Sequence, residues 1–269
     1  MTLVRPLPSL PSLPPPRVAM RLVLRLALLL PLATTIACNQ PAPGDGESTE
    51  TAETGDSDTG DTGVPDGSEL TSYYPLVDGA NWTYLQKTTS GQISGTEVVD
   101  ASASTWEGKD VILLTDNPDG SGEYTQSTIY RDGTAARRIH KELKNAVGAY
   151  TIVDYDPGFT RADDAWDTVG GLGELTYQRT ESDGEGNDPV EETRGHDWTV
   201  NALNESVTVP AGTFSCISVT RVRTTGATAG EVVHFWFASG VGKVREERPA
   251  EGKIEELVSF DIPGGKSGG

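Results

Sequence analysis

From Asn81 onward, apolar and polar positions alternate. The clearest run is GKIEELVSFDI, residues 252–262. There Ile254, Glu256, Val258, Phe260 and Ile262 share one parity, and Lys253, Glu255, Leu257, Ser259 and Asp261 share the other. A period of two predicts a β-strand, because successive side chains of an extended chain point to opposite faces. EVVHFWF (231–237) is apolar at both parities, and DVILLTD (110–116) and TFSCISVTRV (213–222) behave similarly. Such strands are expected to lie centrally in a sheet. More polar strands are predicted in NWTYLQKT, EYTQSTIYR, AYTIVDY, GELTYQRT and HDWTVNAL. Turn-forming residues separate nearly all of them: SGQ at 90–92, NPDGSG at 117–122, RDG at 131–133, SDGEGNDP at 182–189 and PAEG at 249–252.

No segment keeps a 3.6-residue period beyond two turns. TAARRIHKELKN (134–145) is the best helix candidate, and it reads equally well as a strand following the RDG turn. About ten short strands joined by hairpin-length turns imply an antiparallel meander. A sheet that wide must curl or fold onto itself. The fold expected for residues 70–269 is therefore all-β: one domain forming a strongly curved sheet or incomplete barrel, with a β-sandwich as the alternative.

The first part of the chain follows other rules. From Met20 it reads MRLVLRLALLLPLATTIA, with Arg21 and Arg25 as a basic start and Leu26 to Ile36 as an apolar stretch. Pro31 and Arg25 leave it short of the ~20 apolar residues a spanning helix needs, which marks residues 1–37 as a signal peptide. The Pro-rich residues 1–19 add nothing such a peptide requires, so Met20 is a candidate start. Thr35-Ile36-Ala37-Cys38 resembles the lipobox of bacterial lipoproteins, in which the Cys is acylated and becomes N-terminal. It departs from that pattern at Thr35, where Leu is usual, and Thr-x-Ala also satisfies ordinary cleavage after Ala37. The resemblance implies palmitate-type acylation of Cys38. Each buried methylene of an acyl chain contributes about 0.8 kcal/mol, enough in sum for a lasting anchor. Asn39 in place of Asp favours the outer membrane of a Gram-negative envelope.

Residues 38–69 are rich in Gly, Ser, Thr, Pro and Ala, and carry nine acids and no Lys or Arg. Such a segment cannot bury enough apolar surface to offset its ordering entropy, which predicts a disordered tether extended by its own charge. Subtracting the four Arg of residues 1–38 and these nine acids from 21 basic and 40 acidic residues leaves 17 and 31, a net charge of −14 for the domain. That balance argues against nucleic acid as a partner. Cys216 is the one cysteine besides Cys38; next to Phe214 and Ile217 it reads as a small buried hydrophobe.

A second resemblance spans most of residues 73–247. YYPLVDGANWTY (73–84), VTVPAGTFSCISVTR (207–221) and FWFASGVGKVREE (235–247) are similar to a pattern in uncharacterised bacterial exported lipoproteins. That group has a Pro-Leu-x-x-Gly-x-x-Trp opening, a Val-Pro-Ala-Gly-Thr-Phe turn and a Gly-Val-Gly closing hairpin. The resemblance implies β-structure and transfers no catalytic residue. Pro210 belongs at a strand end, Gly212 suits positive φ, Gly240 and Gly242 suit a chain reversal, and Trp82 and Trp236 suit core anchors.

Chemistry is sparse. His140, His196 and His234 are the only histidines, and no H-E-x-x-H, Cys-x-x-Cys or phosphate-loop signature occurs. No cofactor or metal site is expected, and the acidic turn around Asp183 reads as a hairpin turn rather than a calcium loop. The expected function is a membrane-anchored, non-enzymatic lipoprotein binding an apolar ligand in its concave sheet, or an envelope protein. The alternative is a hydrolase using His196 or His234 with nearby carboxylates.

Overall fold

The computed structural model describes residues 68–117 and 122–269. The segments expected as signal peptide and tether up to residue 67, Cys38 with them, and the tip of the NPDGSG turn lie outside the described residues. A 3-10 turn, Glu69–Thr71, comes first. The strands that follow are β1 (Asn81–Thr88), β2 (Ile93–Trp106), β3 (Lys109–Asp116), β4 (Tyr124–Asp132) and β5 (Ala135–Asn145). Next come β6 (Gly148–Asp163), β7 (Gly170–Asp183), β8 (Val190–Val209) and β9 (Gly212–Arg223). The chain ends with β10 (Val232–Ala238), β11 (Gly242–Arg248), β12 (Lys253–Asp261) and β13 (Ser267–Gly268). Each strand pairs antiparallel with the next, and β1 also pairs with β12. The meander thus closes into a 12-stranded barrel, with β13 appended to β12. The all-β meander expected as a strongly curved sheet or incomplete barrel curls to full closure. Closure satisfies both edge strands at once, where an open sheet would leave two rows of unpaired backbone groups.

The ambiguous segment 134–145 is β5, a strand. Its helix-like spacing has a structural cause. Thr128 on β4 pairs with His140 and the adjacent Ile129 with Arg138, so Ile139 has no partner on β4 and forms a bulge. A bulge shifts parity by one, so Arg138 and Lys141, three residues apart, both face inward. The same device recurs at Val244, between Lys243 and Arg245 opposite Phe237 and Trp236. It recurs again at Val258, where Thr83 pairs with Ser259 but Tyr84 with Leu257. The alternation of GKIEELVSFDI therefore does not hold through: Glu255 and Leu257 face inward before the bulge, and Phe260 after it.

Aromatic and aliphatic residues fill much of the interior. One cluster includes Trp82, Tyr84, Leu114, Ile129, Leu257 and Phe260, and the other Phe159, Trp166, Tyr177, Trp198, Phe235 and Phe237. Trp82 is a core anchor, its Nε1–H donating to Val241 O at 2.7 Å. Trp236 is instead on the outer side of β10, half-buried under the Arg245 guanidinium. The turn between β10 and β11 is built as the glycines suggested: Gly240 and Gly242 take φ of 67° and 97°. A Cβ on Gly242 would come within 3.3 Å of Trp82 Nε1.

The chain preceding β1 is held against the barrel. Arg131 donates to both carboxylate oxygens of Glu69, at 2.9 and 2.7 Å, and to Tyr74 O at 2.9 Å. Asp164 accepts from Tyr73 N–H at 2.7 Å and Ser72 Oγ at 3.0 Å. Glu69, grouped with the tether on composition, thus belongs to the folded body. Outward-facing residues form ion pairs such as Lys87–Glu256 at 2.5 Å and Lys144–Glu142 at 2.8 Å. A wall of this kind suits water rather than lipid.

Candidate functional site

The interior of the barrel holds a cavity of about 270 Å³ between the two apolar clusters. Six cations line it, Arg138, Lys141, Arg161, Lys243, Arg248 and Lys253, against four carboxylates, Glu97, Asp116, Glu246 and Glu255. The concave face expected to be apolar is therefore charged, with a cationic excess inside a domain whose net charge is −14. Two parts of this lining differ sharply.

On β11 and β12 the charges neutralise one another. Lys243 Nζ lies 2.8 Å from Glu246 and 2.6 Å from Glu255; Arg248 Nε is 2.5 Å from Glu246, and Lys253 is 2.7 Å from Glu255. Burial alone would raise the carboxyl of Glu246, but Lys243 and Arg248 outweigh it and hold it well below the carboxylate range. Burial is likewise overcome at Glu255, mainly by Lys243, which leaves it at about 2. Burial would lower Lys243, yet Glu246 and Glu255 hold it charged. Each ion here is compensated, the condition for keeping charge inside a protein.

On β5 and β6 compensation is weaker: burial is outweighed at Arg161 alone, by Tyr74 and Glu246. Among the described residues, Arg138, Lys141 and Arg161 make no ion pair, and the buried Nε atoms of Arg138 and Arg161 have no hydrogen-bond partner. Arg161 is at a bulge of its own, since Ala162 pairs with Ala136 and Thr160 with Arg137. Burial lowers the Arg138 guanidinium, and Arg161 lowers it further. Burial, then Arg138, brings the Lys141 ammonium down to about 8. Asp116, which accepts a hydrogen bond from Thr125, is the carboxylate that opposes this at both residues. Arg161 lies 5.9 Å from the Tyr74 ring centroid. Arg221, adjoining it, sits 5.2 to 5.7 Å from the rings of Phe159, Phe235 and Trp198.

The histidines do not converge. His196 faces inward on β8, stacked on Tyr177 at 5.7 Å. Burial, then Arg221, Arg223 and Arg194, pushes it down to about 3. It has three cations and no carboxylate as electrostatic neighbours. His234 faces outward on β10, its Nδ1 2.9 Å from Thr220 Oγ1. His140 faces outward on β5, with Nδ1 2.6 Å from Asp154 and Trp106 stacked on it at 4.3 Å. The two histidines of the hydrolase alternative are thus on opposite sides of the wall.

Cys216 and Asp183 sit as their local sequence suggests. Cys216 is fully buried, and burial raises its thiol to about 12, so it packs as a hydrophobe. Asp183 accepts from the Glu185 and Asn187 N–H groups at 3.0 and 2.8 Å, the arrangement of a hairpin turn. Among the described residues no group of His, Cys, Asp and Glu could hold a metal ion.

Residues 182–259 match a family model described as DUF3108-like. No curated protein matches the chain. A candidate exported protein with a YmcC-like fold from Bacteroides fragilis is similar at 13% identity and a TM-score of 0.45, over 71% of this chain and 99% of its own. A candidate lipoprotein from Parabacteroides distasonis is similar at 14% identity and a TM-score of 0.40, with the same coverage.

Proposed function

We propose that this chain is an exported lipoprotein of a Gram-negative cell envelope, anchored to the outer membrane through acyl groups on Cys38, whose barrel binds a small polar ligand without transforming it. One observation carries the binding part: a cavity of about 270 Å³ inside a closed barrel, lined by six cations and four carboxylates among apolar and neutral polar side chains. Ligand pockets typically run from about 300 to 1,000 Å³, so this one suits a small molecule or a headgroup rather than a long apolar chain. The charged lining moves the reading from the apolar ligand expected of a concave sheet to a polar one. The anchoring part rests on the Thr35–Cys38 segment and the acidic stretch after it.

Mass spectrometry of protein gently extracted from its own envelope tests both parts. The denatured mass should correspond to a chain that begins at an acylated Cys38; an unmodified Cys38 would remove the anchor. The native spectrum should carry one further non-covalent adduct. A bare native mass from a fresh envelope extract would count against the lumen as a binding site and favour a protein-interaction role for the barrel wall.

A further inference from the structure

We infer that Arg138, Lys141 and Arg161 form the subsite for a multiply charged oxyanion of the phosphate class, either free or borne by a headgroup. This deepens the lumen-binding reading and rests on it. Three observations combine.

The first is convergence against the chain's own periodicity. Arg138 and Lys141 would point to opposite faces of a regular strand, and the bulge at Ile139 turns both into the cavity. Arg161 reaches the same space from a bulge on β6. Bulges re-aim particular side chains, and here two adjacent bulges aim three cations at one volume.

The second is weaker compensation. On β11 and β12 every lining cation has a carboxylate within 3 Å, whereas these three cations make no ion pair. Tyr74 and Glu246 together hold Arg161 charged against its burial, while Arg138 and Lys141 are left with less countercharge than their burial demands. Asp116 is one carboxylate for the two cations Arg138 and Lys141, and Glu246, toward Arg161, is already shared by Lys243 and Arg248. Buried charge of one sign is unfavourable unless something supplies the other sign.

The third is donor geometry. Two guanidinium groups present planar forks with buried Nε–H donors lacking acceptors, and Lys141 adds a mobile ammonium. Arginine forks match the oxygen pairs of phosphate, and three cations match a dianion better than a single carboxylate. The cavity excludes anything much larger than a headgroup from this subsite.

Calorimetric titration of the full chain, purified in mild detergent, tests the inference with three probes: inorganic phosphate, a short-chain phosphatidic acid, and glucose as an uncharged control. The variants are Arg138→Gln and Lys141→Gln, each first checked for cooperative unfolding. Two variants are used so that misfolding of one leaves the other. The expected result is phosphate-class binding to wild type that weakens roughly tenfold or more in either folded variant, the loss of one charge-assisted hydrogen bond. Tight binding of phosphatidic acid with weak binding of inorganic phosphate identifies a headgroup; equal occupancy by inorganic phosphate identifies the free ion. Either result supports the subsite. Glucose binding without phosphate binding, or phosphate affinity unchanged in both variants, overturns the subsite and leaves the lumen reading standing. No binding of any probe, together with a bare native mass, overturns both.

Discussion

The two sides of the lumen are built from the same residue types and behave oppositely. On β11 and β12, Lys243, Glu246, Arg248, Lys253 and Glu255 close a network in which every charge has a partner. On β5 and β6, Arg138, Lys141 and Arg161 share one cavity, and among the described residues none of them makes an ion pair. Compensated charge rigidifies an interior at little net gain or loss, while uncompensated charge is a standing cost of the fold. Sites that bind are drawn from the costly kind, because the ligand supplies what the protein lacks. The contrast, rather than the mere presence of charge, separates structural from functional polarity here.

The largest expected effect comes from breaking the closed side. Glu246→Gln leaves Lys243 and Arg248 buried with less than their countercharge, and should destabilise the barrel by about 3–5 kcal/mol. Urea unfolding at neutral pH measures it; a loss within error of zero would mean that the network contributes nothing.

A smaller effect belongs to the basic surroundings of His196. Its folded value of about 3 lies below the ordinary 6.5. Between those values the unfolded chain binds the proton and the fold does not, so stability present above pH 6.5 is lost as the pH falls toward 3. The loss should be on the order of 3 kcal/mol. His196→Phe should reduce the difference between unfolding free energies at pH 7 and pH 4 by that amount. Equal acid sensitivity in wild type and variant would show that His196 is not held neutral.

The smallest effect has the same sign, at higher pH. Lys141 is lowered to about 8 from 10.5, facing Arg138 on β5, Asp116 on β3, Arg161 on β6 and Arg248 on β11. Between pH 8 and 10.5 the unfolded chain holds more protons, so this residue's cost is relieved as the pH rises. Lys141→Met should abolish that rise, seen as a flatter stability curve over this range. An unchanged slope would place Lys141 in an ordinary solvated environment.

How far these regions were legible in the sequence follows from their backbone. β10 could be read directly, because its regular backbone maps parity onto faces: Val233, Phe235 and Phe237 are buried while His234 and Trp236 are on the other side. The turn around Val241 was also readable, since positive φ at Gly240 and Gly242 demanded glycine. The cationic subsite was not. Arg138 and Lys141 have opposite parity, and only the bulge at Ile139 unites them, so the same spacing mimicked a helix. Arg161 adds a long-range contact that no local pattern encodes. The one available signal was a pair of neighbouring cations, Arg137 and Arg138, in a segment with no helical partner face. Closure of the barrel likewise depended on β1 meeting β12, strands far apart in the chain.

The most direct test of the contrast changes the same residue type on each side of the cavity. Urea unfolding at pH 7 should be compared for wild type, Lys141→Met and Lys243→Met. Lys243→Met strands Glu246 and Glu255 and should lower the unfolding midpoint, by about 3–5 kcal/mol in free energy. Lys141→Met removes a buried cation with no ion-pair partner and should raise the midpoint, by about 1–2 kcal/mol. Opposite signs would establish that one lumen contains a closed structural network and an open cationic site; shifts of the same sign would contradict that division.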